Sequence, residues 1–299
     1  VKARAALLGE KQGLSPHFLS MSATPIPRTL TLTIFGDLDL SLITELPEGR
    51  HAIITKIVSP ENRNKAYTFI AEQIKKGRQA FVVCPRIEKV EVVQSGEKQL
   101  LLWNEAKAVK AEYEKLSQKI FPNLNIAMLH GKMKPKEKSA VMAEFVAGKI
   151  NILVSTSVIE VGVDIPNATI MVIEGAEHFG LAQLYQFRGR VGRGAHQSFC
   201  LLFSESATKN TQKRLNSLIE AKNGFELAEK DLAIRGPGQF FGESQTGLPD
   251  LAMEALTNIE LVRLARNAAV EVVKADQEFK KYPLLKDRFA SFQKKIHLE

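Results

Sequence analysis

Short runs of apolar residues recur along the middle of the chain, and turn-forming residues flank each of them. The runs are rich in isoleucine and valine and only a few residues long, which is typical of buried strands. Between most of them lie stretches with helical spacing of apolar residues, such as 62–77 and 134–148. This alternation predicts an α/β domain over about residues 49–205, a parallel sheet with helices on both faces. The six runs are IITKIV (53–58), AFVVC (80–84), IAML (126–129), INILVST (150–156), TIMVIEG (169–175) and SFCLLF (198–203).

The chain changes character on either side of this alternating region. The preceding segment is too short to close a sheet, and the prolines of TPIPRT (24–29) interrupt any helix there. After residue 205 the spacing becomes helical over 208–223 and again over about 251–278, with a stretch rich in glycine and proline between the two. The pattern therefore predicts three regions, namely 1–48, 49–205 and 206–299.

Composition and charge narrow the function classes without deciding between them. Of the 299 residues, 44% are hydrophobic and 25% are charged, which is typical of a soluble globular protein with room for two domains. No apolar run approaches the roughly 18 residues that a membrane span needs. Lysine and arginine outnumber aspartate and glutamate by 41 to 33. The net charge of +8 favours a polyanionic partner, although solubility explains it equally well.

The cysteines and histidines indicate neither a disulfide framework nor a metal centre. Cys84 and Cys200 each lie inside an apolar run, which predicts small buried side chains in a reducing compartment. The six histidines show no metal-ligand spacing. The sequence therefore gives no support for a metal ion held by this chain alone.

The stretch FRGRVGRGA (187–195) combines three positive charges with three glycines, so few other side chains surround the charges. Arg188, Arg190 and Arg193 lie among three glycines, directly before the strand-like run SFCLLF. A guanidinium group offers a rigid fork of donors that matches phosphate oxygens, and glycine lets the backbone approach a ligand closely. A solvated turn with surface arginines is the alternative, but the spacing of the arginines beside Gln186 favours phosphate binding.

The segment QFRGRVGR (186–193) resembles the Q-x-x-G-R-x-G-R motif of superfamily 2 helicases, whose motor domains have a RecA-like parallel sheet. In that family the two arginines of the motif, here Arg190 and Arg193, reach the γ-phosphate of ATP held by a neighbouring RecA-like domain. The resemblance implies that both are catalytic and that Gln186 belongs to the ATP site. An arginine supplied from a second domain can accelerate phosphoryl transfer by about 10³- to 10⁵-fold.

A second segment that resembles a helicase motif, STSVIEVGVDIP (155–166), follows a strand. In the family its threonine contacts a nucleic-acid phosphate, while its glycine and aspartate lie beside the nucleotide. Here these residues are Thr156, Gly162 and Asp164. A strand end followed by a helix start would also contain serine, threonine and glycine. The order and distance relative to the arginine motif favour the helicase interpretation.

Two shorter segments add to the resemblance. LHGKM ends another strand-like run, and the resemblance places His130 and Gly131 on the nucleic-acid track. MSATPIPRT resembles the Ser-Ala-Thr motif, whose hydroxyls couple the nucleotide site of the first RecA-like domain to the second, and this implies Ser22 and Thr24. Polar caps and turns use the same residue types, so neither segment would indicate a helicase by itself.

The motifs with which such a motor binds the phosphates of ATP and the magnesium ion are absent from this sequence. There is no G-x-x-x-x-G-K-[ST] phosphate loop and no Asp-Glu box after a strand. GAEHFG (175–180) follows a strand-like run but lacks the aspartate that holds magnesium, so it is not that box. The resemblance therefore implies that ATP and Mg²⁺ are held mainly by a first motor domain outside this chain. We expect the chain alone to lack ATPase activity.

Longer segments narrow the resemblance to one branch of the superfamily. ATPIPRTL, HFGLAQLYQFRGRVGRG, DLAIRGPGQF and GESQTG together resemble the RecG family of branched-DNA helicases, whose nearest relative is the transcription-repair coupling factor. Both share a helical hairpin, the translocation motif, which here covers about residues 206–247. Arg214, Arg235 and Gln245 match positions where the family carries polar groups for DNA binding or translocation. A hairpin cap and a surface face would use similar residues.

The resemblance as a whole implies an enzyme, the C-terminal motor half of an ATP-dependent DNA helicase in the bacterial cytoplasm. Its substrate would be branched double-stranded DNA, such as stalled forks and Holliday junctions in recombination and repair. Residues 1–48 would be the tail of the first RecA-like domain plus a linker, and 206–299 the hairpin with C-terminal helices. The rest of that domain and an N-terminal wedge domain would lie outside the chain. Two alternatives stay open: the motor of a transcription-repair coupling factor, and a nucleotide-independent nucleic-acid-binding module.

Overall fold

A computed structural model of the chain describes residues 51–85, 97–156, 165–235 and 259–295, together with four isolated positions in region 1–48. Apart from those positions, region 1–48, which includes TPIPRT (24–29), lies outside the described residues. No helix within the four described ranges combines the length and the apolarity needed to cross a membrane. Five residues of the predicted sites also lie outside the described residues, namely Ser22, Thr24, Gly162, Asp164 and Gln245.

Six strands form one parallel sheet at the centre of the described chain, and each overlaps one of the six apolar runs. The strands are β1 (Ile54–Val58), β2 (Gln79–Val83), β3 (Ile126–Leu129), β4 (Ile152–Ser155), β5 (Ala168–Ile173) and β6 (Phe199–Phe203). Their order across the sheet is β1-β6-β5-β2-β4-β3, and every neighbouring pair is parallel. The predicted fold class is confirmed.

Helices connect the strands and continue after the sheet. They are α1 (Arg63–Lys75), α2 (Glu97–Lys115), α3 (Pro135–Val146), α4 (Leu181–Arg188), α5 (Lys209–Glu220), α6 (Gly224–Arg235), α7 (Ile259–Ala275) and α8 (Pro283–Lys295). The predicted helical stretches 62–77 and 134–148 form α1 and α3. A π-helical turn, Leu116–Ile120, extends α2, and a 3-10 turn, Ala176–His178, follows β5.

The chain turns between α7 and α8, where the sequence pattern predicted helix up to about residue 278. Phe279 has a positive backbone φ of 54°, which a right-handed helix does not contain. The carboxylate of Asp276 accepts a hydrogen bond from the backbone N–H of Lys281 at 2.6 Å, and such a local bond competes with helical hydrogen bonds. The helix therefore ends at Ala275 rather than near residue 278.

Side chains of each strand alternate between two apolar layers, one on each face of the sheet. In β2, Phe81 and Val83 pack into one layer, whereas Ala80 and Val82 pack into the other. Helices α3, α4, α5 and α6 cover the first layer, and α1 and α2 cover the second. Because both faces are covered, the strands appear in the sequence as continuous apolar runs rather than alternating ones.

The first two helices after the sheet form a hairpin that packs on the first layer. Leu215 and Leu218 of α5 and Leu227 of α6 are buried together with Phe187 of α4. The side-chain oxygen of Asn223 accepts hydrogen bonds from two backbone N–H groups in the first turn of α6, each at 3.0 Å, and so caps that helix. The hairpin shares a core with the sheet, and the boundary at residue 205 stays a prediction.

Candidate nucleotide and nucleic-acid sites

The arginine motif lies at the edge of the sheet where the strands begin. Gly192 packs against Ile53, just before β1, and Gly194 packs against Pro166, just before β5. We call residues 189–195 the arginine loop. Its contacts place it at the amino-terminal edge of the sheet, beside Pro166, the last residue of the second helicase-like motif.

Apolar side chains hold the arginine loop in place. Phe187 is fully buried and packs edge-on against Phe179, with ring centroids 5.3 Å apart, and Val191 is 2% exposed. Arg190 and Arg193 are only partly buried. Anchors on both sides of Arg190 fix its backbone, which reduces the entropy lost when the side chain meets a ligand. The arrangement suits guanidinium groups that contact an anion brought from outside this domain.

Close packing accounts for two glycines of the loop. Gly192 has a φ of 79°, and a Cβ there would lie 2.9 Å from Cγ1 of Ile53. A Cβ on Gly194 would lie 2.6 Å from the carbonyl oxygen of Pro166. Neither position has room for a side chain. The side chain of Ile53 fills the space at Gly192, whose positive φ also favours glycine, and the backbone of Pro166 fills it at Gly194. The sequence analysis attributed these glycines to access for a ligand, and the structure gives this packing as their reason.

Arg188 has a different role from the other two arginines of the stretch. Its Nη1 donates to the carbonyl oxygen of Leu218 at 2.7 Å, and its guanidinium lies over the ring of Tyr185, 4.8 Å from the centroid. Leu218 belongs to the last turn of α5, where carbonyl groups lack helical partners. Arg188 therefore fastens the end of α4 to the end of α5.

The sheet separates two sets of predicted residues. Gln186 lies in the last turn of α4, next to the arginine loop at the amino-terminal edge. His130 and Gly131 follow β3, and Thr156 follows β4, its partner strand, so these three lie at the carboxyl-terminal edge. The strands contain four to six residues and rise about 3.3 Å per residue, which sets the edges roughly 13–20 Å apart. Gln186 and the arginine loop, which are the described part of the predicted nucleotide site, therefore lie at the opposite edge from these three residues.

Local contacts shape the carboxyl-terminal edge after β3 and β4. The Nζ of Lys138, in α3, donates to the carbonyl oxygen of Gly131 at 2.9 Å. The backbone N–H of Met133 donates to the carbonyl oxygen of His130 at 3.2 Å. Thr156 is fully buried, and among the described residues its hydroxyl has no hydrogen-bond partner. A phosphate contact by this hydroxyl would require its surroundings to open.

The hairpin is docked on the turn after β5 by Arg214. Its Nη1 donates to the carbonyl oxygen of Phe179 at 3.0 Å, and its Nη2 donates to that of Glu177. These contacts fix α5 relative to the turn Ala176–His178, and a direct contact of Arg214 with DNA stays a prediction. Arg235 is the last residue of α6, and its predicted role is likewise open.

A buried charge cluster that the sequence analysis missed lies at the carboxyl-terminal edge, under α1 and α2. Glu174, directly after β5, forms ion pairs with Arg63 at 3.1 Å and Lys115 at 3.8 Å. Lys115 also pairs with Glu112 at 2.9 Å, and Arg63 with Glu205 at 3.5 Å. Burial, reinforced by Glu112, raises the pKa of Glu174 to about 7, while Lys115 and Arg63 oppose the rise. Because its members come from four separate segments, the cluster leaves no motif in the sequence.

Replacing Glu174 with glutamine is expected to remove a pH-dependent loss of stability. The folded-state pKa of Glu174 is raised from its ordinary 4.5 to about 7, so folding favours the protonated form and stability decreases as pH rises through this window. Between pH 5 and pH 8 the unsubstituted chain should lose more unfolding free energy than Glu174→Gln does. The two losses should differ by on the order of 1–3 kcal/mol. Urea titrations at both pH values measure this difference. Glu114→Gln, an exposed carboxylate of α2, is the matched control, and an unchanged pH dependence in Glu174→Gln would contradict the prediction.

Two protein families match the chain. The family described as "Helicase conserved C-terminal domain" matches residues 62–195, from α1 to the arginine loop. The family described as "ATP-dependent DNA helicase RecG, domain 3, C-terminal" matches residues 221–296, which include α6, α7 and α8. The first match includes β2, β3, β4 and β5, while β1, β6 and α5 lie outside both matches.

Curated relatives named "ATP-dependent DNA helicase RecG" are similar to most of the chain. The relative from Synechocystis sp. is 46% identical over 297 residues, which are 99% of this chain and 34% of the relative. The Bacillus subtilis relative is 42% identical over 279 residues, covering 92% of this chain and 39% of the relative. A solved structure, described as RecG bound to a three-way DNA junction, is 40% identical with a TM-score of 0.61, and the match covers 81% of this chain and 30% of that one. This chain thus spans about a third of the length of these relatives.

The six-stranded parallel sheet and the first family match define the class of the protein: it contains the RecA-like C-terminal domain of a superfamily 2 helicase. The second match and the relatives distinguish between branches of that superfamily. The chain belongs to the RecG family. The resemblance noted in the sequence is confirmed, and RecG is favoured over the transcription-repair coupling factor.

Proposed function

We propose that this chain is the second motor domain and translocation hairpin of an ATP-dependent DNA helicase that remodels branched double-stranded DNA in the bacterial cytoplasm. The observation that carries the proposal is the division of the sheet into two edges, with the arginine loop at one and His130, Gly131 and Thr156 at the other. The names of the relatives support ATP-dependent helicase activity. The three-way junction bound in the solved RecG structure supports branched DNA as the substrate.

The arginine loop fits the triphosphate of ATP. Arg190 and Arg193 offer fork-shaped donors to phosphate oxygens, and the buried side chains of Phe187 and Val191 fix the loop that carries them. Bound ATP supplies the phosphoryl group that is transferred to water. The two guanidinium groups neutralise the negative charge that develops on its oxygens. Because these arginines lie on a different domain from the phosphate loop that holds ATP, they act only when the two motor domains close.

The assignment of Mg²⁺ rests on the helicase resemblance and not on a cluster of ligands in this chain. Within residues 51–85, 97–156, 165–235 and 259–295, no group of three or more His, Cys, Asp or Glu residues could hold a metal ion. On the helicase resemblance, we assign Mg²⁺ and most of the contacts with ATP to a first motor domain of the full-length protein. That domain and a wedge domain would be the partners of this chain within the same protein.

DNA should bind this chain modestly and lose affinity steeply as salt rises. Contacts with phosphates release counterions, and if about four phosphates are neutralised the affinity falls roughly 100-fold between 50 and 200 mM salt. Sequence preference should be slight, because phosphate contacts carry no sequence information. Fluorescence anisotropy with labelled three-way junctions of two unrelated sequences measures both effects. Equal affinity at the two salt concentrations would count against the proposal.

A further inference from the structure

Asn167, the residue directly before β5, forms a network of side-chain hydrogen bonds that no motif indicated. Its side-chain nitrogen donates to the carbonyl oxygen of Gly77 at 2.7 Å and to Oε1 of Gln79 at 3.3 Å. Its side-chain oxygen accepts a hydrogen bond from Nη1 of Arg78 at 3.3 Å. All three partners belong to the segment that leads from α1 into β2. Because both polar atoms of the amide are engaged, its orientation is fixed.

Gln79 anchors this network in the interior of the domain. It is 2% exposed, and its Nε2 donates to the carbonyl oxygen of Phe145 at 2.6 Å and to that of Ile150 at 2.7 Å. Its backbone N–H donates to the carbonyl oxygen of Asn167 at 3.1 Å. Buried polar groups lose free energy when their hydrogen bonds are broken. Asn167 therefore cannot shift without disturbing a buried residue that also joins α3 to β4.

The peptide bond between Pro166 and Asn167 supports the arginine loop. A Cβ on Gly194 would lie 2.6 Å from the carbonyl oxygen of this peptide bond and 3.3 Å from its carbonyl carbon, so the loop packs directly on it. Gly194 is the residue after Arg193. The position of the arginine loop relative to the sheet therefore depends on where the network holds this peptide bond.

A second asparagine at the same edge makes a similar hydrogen bond far from the arginine loop. The Nδ2 of Asn125, directly before β3, donates to the carbonyl oxygen of Lys149 at 3.1 Å. Strand β3 lies three strands away from β5 in the sheet, or roughly 14 Å. Asn125 therefore joins two segments of the sheet edge, as Asn167 does, without supporting the loop. It provides a matched comparison within the same chain.

We propose that Asn167 is a positioning residue for phosphoryl transfer, which holds the arginine loop where Arg190 and Arg193 meet ATP. The inference rests on the proposed function and adds a residue that contacts neither ATP nor DNA. It acts through the Pro166–Asn167 peptide bond and the packing of Gly194 on that bond. A displacement of about 1 Å in a reacting arrangement can slow a reaction roughly 100-fold, so a support of this kind matters for rate.

Asn167→Ala tests the positioning role in a full-length RecG protein that carries this chain, with saturating three-way junction DNA. The kcat for ATP should fall about 10-fold or more, because the loop is no longer held in place. The KM for ATP should change less than about 2-fold, since the arginines act mainly in the transition state. Asn167→Asp keeps the acceptor for Arg78 but turns the donors into an oxygen that faces two other oxygens, so its kcat should fall at least as far. Phosphate release measures both constants.

Combination with Arg190→Ala separates positioning from a general effect on the domain. If Asn167 acts through the arginine loop, Asn167→Ala should lower kcat by only about 3-fold or less in the Arg190→Ala protein, because the main group that it positions is gone. Gly194→Ala disturbs the same contact from the loop side, and its loss of kcat should not add to that of Asn167→Ala. Asn125→Ala should keep kcat within about 2-fold of the unsubstituted protein.

Three results would overturn the positioning role: an unchanged kcat in Asn167→Ala, equal fold losses with and without Arg190→Ala, or an equal loss in Asn125→Ala. Circular dichroism at the assay temperature checks that each variant is folded. If Asn167→Ala does not fold, Asn167→Asp, which is nearly the same size as asparagine, takes its place in the same comparisons. A near-normal turnover in Arg190→Ala alone would instead contradict the proposed function.

Discussion

Replacing Arg190 with alanine is expected to lower ATP turnover by roughly 10³-fold or more in a full-length RecG protein that carries this chain. The guanidinium meets charge that develops on the phosphoryl oxygens in the transition state, so kcat should fall far more than KM rises. Arg190→Lys keeps the charge and loses the planar fork, so it should recover only part of the activity. Phosphate release with saturating three-way junction DNA measures all three proteins.

A matched control removes a positive charge elsewhere on the same chain. Arg263 is an exposed residue of α7, and Arg263→Ala should keep turnover within about 2-fold of the unsubstituted protein. If Arg190→Ala turned over ATP at a near-normal rate, the arginine loop would have no part in phosphoryl transfer. The nucleotide-independent binding module would then become the better explanation of the same motif.

The strands could be predicted because the sheet is buried on both faces. Ile152, Leu153 and Val154 of β4 are all fully buried, so three consecutive positions of that strand are apolar and the run is visible in the sequence. The order of the strands could not be predicted. Apolar runs do not encode which neighbour they pair with. The first strand along the chain, β1, pairs with the last one, β6.

The site could be predicted only where residue identity itself carries the chemistry. Arg190 and Arg193 occupy fixed positions of a helicase-like motif, so the resemblance identifies them in the sequence. Arg188 and Arg214 instead donate to backbone carbonyl groups, which every residue possesses, so nothing in the sequence marks their partners. The ion pairs of Glu174 are hidden for a related reason, because folding alone brings their members together.

Replacing Phe187 with alanine is expected to lower the free energy of unfolding of this chain by about 3–5 kcal/mol. Phe187 lies inside the arginine motif, yet its side chain is fully buried against Phe179 and in the same apolar layer as Leu215 and Leu218 of the hairpin. Its removal leaves a cavity whose walls are the sheet and the docked hairpin, and rigid walls collapse poorly into such a space. Urea unfolding followed by circular dichroism measures the loss.

The control is an aromatic residue without a core position. Phe289 of α8 is 45% exposed, and Phe289→Ala should cost less than about 1 kcal/mol. If Phe187→Ala cost no more than this control, Phe187 would not anchor the arginine loop. The contact of Arg188 with Leu218 would then be the main link between the motif and the hairpin. If the full loss is observed, one buried ring supports both the arginine loop, which we propose to contact ATP, and the hairpin of α5 and α6, so the loop and the hairpin share a single packed core.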